Sequence, residues 1–171
     1  MIVEFSQVAS VTAFSPAGFW NAAERRFCQR SLGLLGNMPP LVRPAVRALA
    51  TTRPGRALLF KQTFGWPTRM PAGEAVATLD DAWTAPAFAD ALAAFDRYEF
   101  GGGDELRGTP VTIAWGRHDR LLIYSRQAPR ARARLPWAHH VTLRAGHVPF
   151  FDDPAAVAAT IVAAGITPTG P

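Results

Sequence analysis

Three short segments restrict what this chain can fold into more than anything else in it. Val8 to Phe14 (VASVTAF), Val111 to Trp115 (VTIAW) and His140 to Leu143 (HVTL) are apolar or small at nearly every position and rich in β-branched residues. They stop respectively at Ser15-Pro16-Ala17-Gly18, at Gly116 and before Ala145-Gly146. A strand reads this way when both of its faces are covered, which is the condition of a parallel sheet packed between helices. Between the second and third segments lies Ile123 to Leu135, an arginine-rich helical stretch interrupted only by Pro129. After the third comes Pro154 to Ala164, with Asp152 or Asp153 as N-cap and Pro154 at the first helical position, where its missing N–H is not needed. Strand, helix, strand, helix at this spacing predicts right-handed parallel crossovers, so the fold class is α/β with about three parallel strands.

The middle of the chain follows a different rule. From Trp20 to Gly103 there is helical periodicity over Arg25 to Leu35, Leu41 to Leu49 and Ala87 to Tyr98. Pro39-Pro40, Arg53-Pro54-Gly55 and Trp66-Pro67 break it, and no stretch alternates like a strand. These features predict short helices inserted between the first and second strands. The expected division is a core made of 1–19 and 104–171, and a helical cap or lid over 20–103, closed by a flexible Gly101-Gly102-Gly103. Gly165 to Pro171 reads as a loose tail. Phe19, Trp20, Phe60, Phe64, Trp66, Trp83, Phe88 and Phe95 fall mainly in the insertion, where short helices need large apolar anchors. Some of them are expected to line an apolar pocket.

Composition removes several function classes. With 171 residues, 49% apolar and 18% charged, the chain is an ordinary globular domain and not a disordered one. Its net charge of +5 comes almost wholly from scattered arginines, Lys61 being the single lysine, so no nucleic-acid footprint is expected. The densest group, Arg126, Arg130, Arg132 and Arg134, reads as a solvated helix face. The lone Cys28 excludes an internal disulfide and reads as a small packed residue, since nothing near it in sequence would lower its thiol pKa. His139-His140 has no carboxylate or cysteine at metal-ligand spacing, and neither a metal nor a cofactor is expected. MIVEFSQVASVTAF lacks the basic and apolar regions of a secretory signal, and no run of about 18 apolar residues occurs, so the expectation is a cytoplasmic protein without a membrane partner.

In an open parallel sheet, reactive residues gather in the loops at the carboxyl ends of strands. VTIAW is followed by Gly116-Arg117-His118-Asp119, and HVTL by Arg144-Ala145-Gly146-His147. An imidazole moves protons near neutral pH, and a carboxylate behind it fixes its tautomer and stabilises the imidazolium. Asp119 and His147 are therefore the candidate acid and base, with Glu24 as a weaker substitute for the acid. The plainer readings are a turn-forming Asp119 and a His147 bonded only to backbone. His118 is expected to face solvent or to support its neighbours. Ser15 ends a strand but precedes Pro16 and lacks flanking glycines, which makes it a turn former.

PVTIAWGRHDRLL followed by LPWAHHVTLRAGHVPFFDDP resembles the last two strand-loop units of the α/β-hydrolase superfamily, serine-hydrolase type. There a Trp-Gly-x-x-Asp loop supplies the catalytic acid, matched by Trp115, Gly116 and Asp119. A Gly-His loop supplies the base, matched by Gly146 and His147, ahead of an Asp-Pro helix start such as Asp153-Pro154. VASVTAFSPAGFW resembles the strand after the nucleophile helix, with a helical cap behind it. The resemblance implies a partial α/β-hydrolase fold and hydrolysis of an ester-like or related small, apolar substrate. The nucleophile turn G-x-S-x-G, its Cys and Asp variants, and the glycine loop for the oxyanion are all missing. The chain thus resembles the carboxyl-terminal half of such an enzyme, and by itself it is expected to lack turnover. The alternative is a non-catalytic truncated remnant or pseudoenzyme acting in binding. In the family the strand matching Val8 to Phe14 pairs with the nucleophile strand, so an open edge here implies self-association.

Overall fold

The computed structural model describes residues 8–166. Its three strands, β1 (Val11–Phe14), β2 (Val111–Gly116) and β3 (His139–Leu143), form one parallel sheet in the order β1-β2-β3. Val11 lies opposite Val111, and Thr112 opposite His139. The α/β class and the three parallel strands are as the sequence implies. β1 is shorter than the apolar run suggests, because Val8, Ala9 and Ser10 precede the ladder. The Val11 N–H bonds the Pro110 carbonyl at 2.9 Å, and Pro110, having no N–H, offers nothing to carry the ladder further back.

All six residues of β2 are buried, and their side chains alternate between two cores. Val111, Ile113 and Trp115 pack with Phe19, Trp20, Leu121 and Leu122 and with helix α6 (Tyr124–Arg134). On the other face Ala114 packs with Leu143, Ala145 and Val157 of helix α7 (Pro154–Ile166). Trp115 anchors the first core at 1% exposure, and truncating such a side chain removes about 3–5 kcal/mol. The final helix runs on through Gly165 and Ile166, while residues 167–171 of the expected tail lie outside the described residues.

Between β1 and β2 the chain is helical: α1 (Ala22–Gly36), α2 (Arg43–Ala50), α3 (Arg53–Leu59), α4 (Ala72–Thr84) and α5 (Phe88–Ala94), with short 3₁₀ turns among them. Helix α1 starts in a capping box: Asn21 Oδ1 accepts from the Glu24 N–H and the Glu24 carboxylate accepts from the Asn21 N–H. Arg53-Pro54-Gly55, expected as a break, is instead the first turn of α3. Thr52 caps it through the Gly55 N–H at 3.0 Å, and Pro54 sits where no N–H is required. Helix α4 is a second departure; Ala75, Leu79 and Trp83 recur every fourth residue there, a face the proline-broken context masks. Ala75 and Leu79 join Ala50, Phe60, Phe64 and Met70 in a further core, against which Val148 also packs. Gly103, expected in a flexible closing segment, opens a 3₁₀ turn through Leu106.

Helix α6 passes through Pro129 without a break, and its buried face is Gln127, Ala128 and Ala131. Its arginines form more than a solvated face. Arg130 pairs with Glu24 and donates to the Phe19 carbonyl at 3.0 Å, Arg132 reaches Thr142 Oγ1, and Arg134 lies 3.6 Å from Glu99. These bonds fasten α6 to the insertion and to β3. Among the described residues no helix is long and apolar enough to cross a membrane.

Candidate active site

The loops leaving β2 and β3 are laced together before any side chain is considered. The Arg117 N–H bonds the Leu143 carbonyl and the His118 N–H bonds the Ala145 carbonyl, both at 2.9 Å. Gly116 allows this approach: a Cβ there would stand 1.9 Å from the Gly146 carbonyl oxygen. Trp115 Nε1–H donates to the Leu122 carbonyl at 3.0 Å, so the buried ring at the end of β2 holds the far side of the loop that carries Asp119.

Within this frame the structure brings the two sequence-predicted residues together. Asp119 Oδ2 lies 3.0 Å from His147 Nδ1. Asp119 Oδ1 accepts the Leu121 and Leu122 N–H groups at 2.9 and 2.8 Å. Turn former and partner of histidine are therefore not alternatives; Asp119 does one with each oxygen. Its side chain has no exposed surface and that of His147 is 23% exposed, so the carboxylate is held behind and the ring faces out. A carboxylate accepts only, which puts the proton of neutral His147 on Nδ1 and leaves Nε2 with its lone pair. Nε2 has no hydrogen-bond partner among the described residues. His147 borders a cavity of about 210 Å³ also lined by Phe14, Ser15, Cys28, Leu121 and Phe95, a mostly apolar set.

The remaining candidates separate cleanly. Glu24 is not placed to replace Asp119: it is buried, caps α1 and pairs with Arg130. Burial raises its carboxyl, but the hydrogen bonds from Arg130 and the Asn21 backbone outweigh that and hold it below the ordinary value. Ser15 occupies the left-handed region (φ 43°), and its Oγ receives the Gly116 N–H at 3.4 Å, so it turns the chain and ties the ends of β1 and β2. Cys28 is buried, and desolvation together with the Asp119 charge pushes its thiol up to about 11, far from a reactive thiolate. His118 packs edge-on to Trp66, with centroids 5.0 Å apart. Desolvation and the nearby Arg117, Arg120 and Arg144 lower its pKa, which favours the neutral ring. His140 Nε2 bonds the Leu135 carbonyl at 2.8 Å. Among the described residues no three His, Cys, Asp or Glu side chains are grouped to hold a metal ion.

One site residue escaped the sequence reading. Of the pair Asp152-Asp153, Asp153 caps α7 through the Ala156 N–H, whereas Asp152 turns back and accepts the N–H groups of Gly65, Trp66 and Gly146. Only one of two adjacent aspartates can cap a helix, and that surplus was the available signal.

A family model described as alpha/beta hydrolase family matches residues 7–160. No curated protein and no solved structure matches the chain.

Proposed function

The chain belongs to the alpha/beta hydrolase family, and from that premise we propose that it supplies the acid and base of a hydrolytic site, Asp119 and His147, to a nucleophile outside residues 8–166. The observation that carries this reading is the bond from His147 Nδ1–H to Asp119 Oδ2, made at the carboxyl ends of adjacent parallel strands, with Nε2 unpartnered among the described residues and His147 lining a cavity. In the proposed reaction a hydroxyl nucleophile attacks an ester-like carbonyl while His147 Nε2 takes its proton. The imidazolium, stabilised by Asp119, then returns that proton to the leaving alcohol, and water repeats the sequence on the acyl intermediate. The apolar lining from Phe14, Leu121 and Phe95 suits a small, apolar acyl or alkyl group, and the 20–103 helices act as the cap over it.

The sheet supports a place for the nucleophile. The Val11 and Ser15 N–H groups point at β2, so Thr12 and Phe14 direct their backbone groups to the other edge of β1, which no strand pairs among the described residues. A parallel strand added there would end beside Ser15 and His147, where a strand-to-helix nucleophile turn has to stand. The same open edge favours a second reading, a binding role in which β1 takes up a strand without catalysis.

The acid-base reading is tested on the Nδ1 proton of His147. In ¹⁵N-histidine-labelled protein it should give a slowly exchanging resonance far downfield of the amides, absent in Asp119→Asn. Its absence in the wild type, or its survival in Asp119→Asn, would contradict the pairing.

A further inference from the structure

We propose that Asp152 is a positioning residue for His147, coupling the imidazole to the inserted segment Thr63–Trp66; this rests on the acid-base reading above. Asp152 is 8% exposed, and its carboxylate accepts three backbone N–H groups from two distant parts of the chain. Oδ2 takes Gly65 and Gly146, both at 2.7 Å, and Oδ1 takes Trp66 at 2.9 Å. Gly146 immediately precedes His147. On the other side of His147 the Val148 N–H donates to the Thr63 carbonyl at 2.9 Å. Both neighbours of the histidine are thus fastened to residues 63–66, one through Asp152 and one directly.

The packing leaves no slack for a substitute arrangement. A Cβ on Gly146 would stand 2.5 Å from the Gly65 nitrogen, so the two backbones meet with nothing between them but the hydrogen bonds to Asp152. Three converging N–H donors are shared between the two carboxylate oxygens, and an amide offers only one such acceptor. In Asp152→Asn the amide group must face at least one of the three donors. Even in the least costly orientation, facing Trp66, the 63–66 segment shifts, and with it the Gly146 and Val148 contacts that set the direction of the His147 ring toward Asp119.

The experiment reads the same His147 Nδ1 proton in the full chain, with thermal melts in parallel. Asp152→Asn should broaden or erase the resonance, or speed its exchange with solvent on the order of tenfold, the lower end for losing a hydrogen bond to a charged group. Glu24→Gln, which weakens the pair with Arg130 at the start of α1, should lower the melting temperature and leave the resonance in place. Should Asp152→Asn not fold, Gly65→Ala serves: its methyl would lie 3.1 Å from the Gly146 nitrogen and 3.2 Å from Asp152 Oδ2, a displacement of tenths of an ångström. It should weaken the same resonance. A resonance lost in Asp119→Asn but unchanged in a folded Asp152→Asn or in Gly65→Ala overturns the role of Asp152 alone. A wild-type protein without the resonance overturns the acid-base reading and this inference together.

Discussion

Replacing Glu24 by Gln separates a structural carboxylate from a catalytic one. The side chain is 6% exposed, accepts from both terminal nitrogens of Arg130, and receives the Asn21 N–H at the start of α1. Gln keeps the shape and one acceptor but loses the charge. A hydrogen bond to a charged group is worth about 1.5–3 kcal/mol. Arg130 remains 42% exposed, so water takes up part of the loss, and exposed pairs reach only about 1 kcal/mol. The expected destabilisation at pH 7 is about 1–2 kcal/mol, or a fall of about 2–8 °C in melting temperature for a domain of this size. The sign of the pH dependence is fixed. Because the folded state holds the Glu24 carboxyl below its ordinary 4.5, the pair's contribution is present above that value and is lost as pH falls through the lower folded one. Urea denaturation of both proteins from pH 7 down toward pH 3 should therefore show their stabilities converging in acid. Equal stabilities at pH 7, or a gap that persists undiminished in acid, would refute the argument.

Other perturbations have equally definite outcomes. Gly146→Ala forces a methyl to within 2.5 Å of the Gly65 nitrogen, and chemical denaturation should show a loss of about 1–3 kcal/mol or more. Cys28, its thiol pushed up to about 11, should resist thiol reagents at pH 8 until the protein is denatured. Its raised value favours the neutral thiol in the fold, so its contribution is intact below the ordinary 9.0 and is lost as pH rises through about 11, which alkaline melts of wild type and Cys28→Ala would show. The open edge of β1 should make the chain self-associate in sedimentation experiments. Thr12→Pro removes an outward-facing N–H without touching the ladder to β2 and should reduce that association; a monomeric wild type would contradict the edge argument.

What the sequence revealed, and what it hid, has a physical pattern. β2 was legible because a strand covered on both faces must be apolar at every position, and β1 and β3 followed from similar runs and their glycine stops. Asp119 and His147 were legible because each follows closely on a strand end, in loops that adjacent parallel strands bring side by side. Helices α3 and α4 were obscured because proline serves equally as a breaker and as a first-turn residue, and only a cap such as Thr52 decides between them. Asp152 was hidden because its partners, Gly65 and Trp66, lie 87 and 86 residues away and contribute backbone groups that carry no sequence signature. The arginines of α6 are solvated as their spacing suggests, but helical spacing says which face they share and nothing about Glu24, Thr142 or Glu99 opposite them.

The most direct test of the central claim is hydrolysis of an activated aryl ester, measured for this chain by itself and again with a strand and G-x-S-x-G turn supplied at the β1 edge. The account predicts no His147-dependent turnover in the first case. In the second it predicts turnover that His147→Ala abolishes and Asp119→Asn lowers on the order of 10⁴-fold. Turnover by this chain alone that His147→Ala removes would contradict the account by placing the nucleophile inside it, and restored turnover indifferent to His147→Ala would contradict the role given to the histidine.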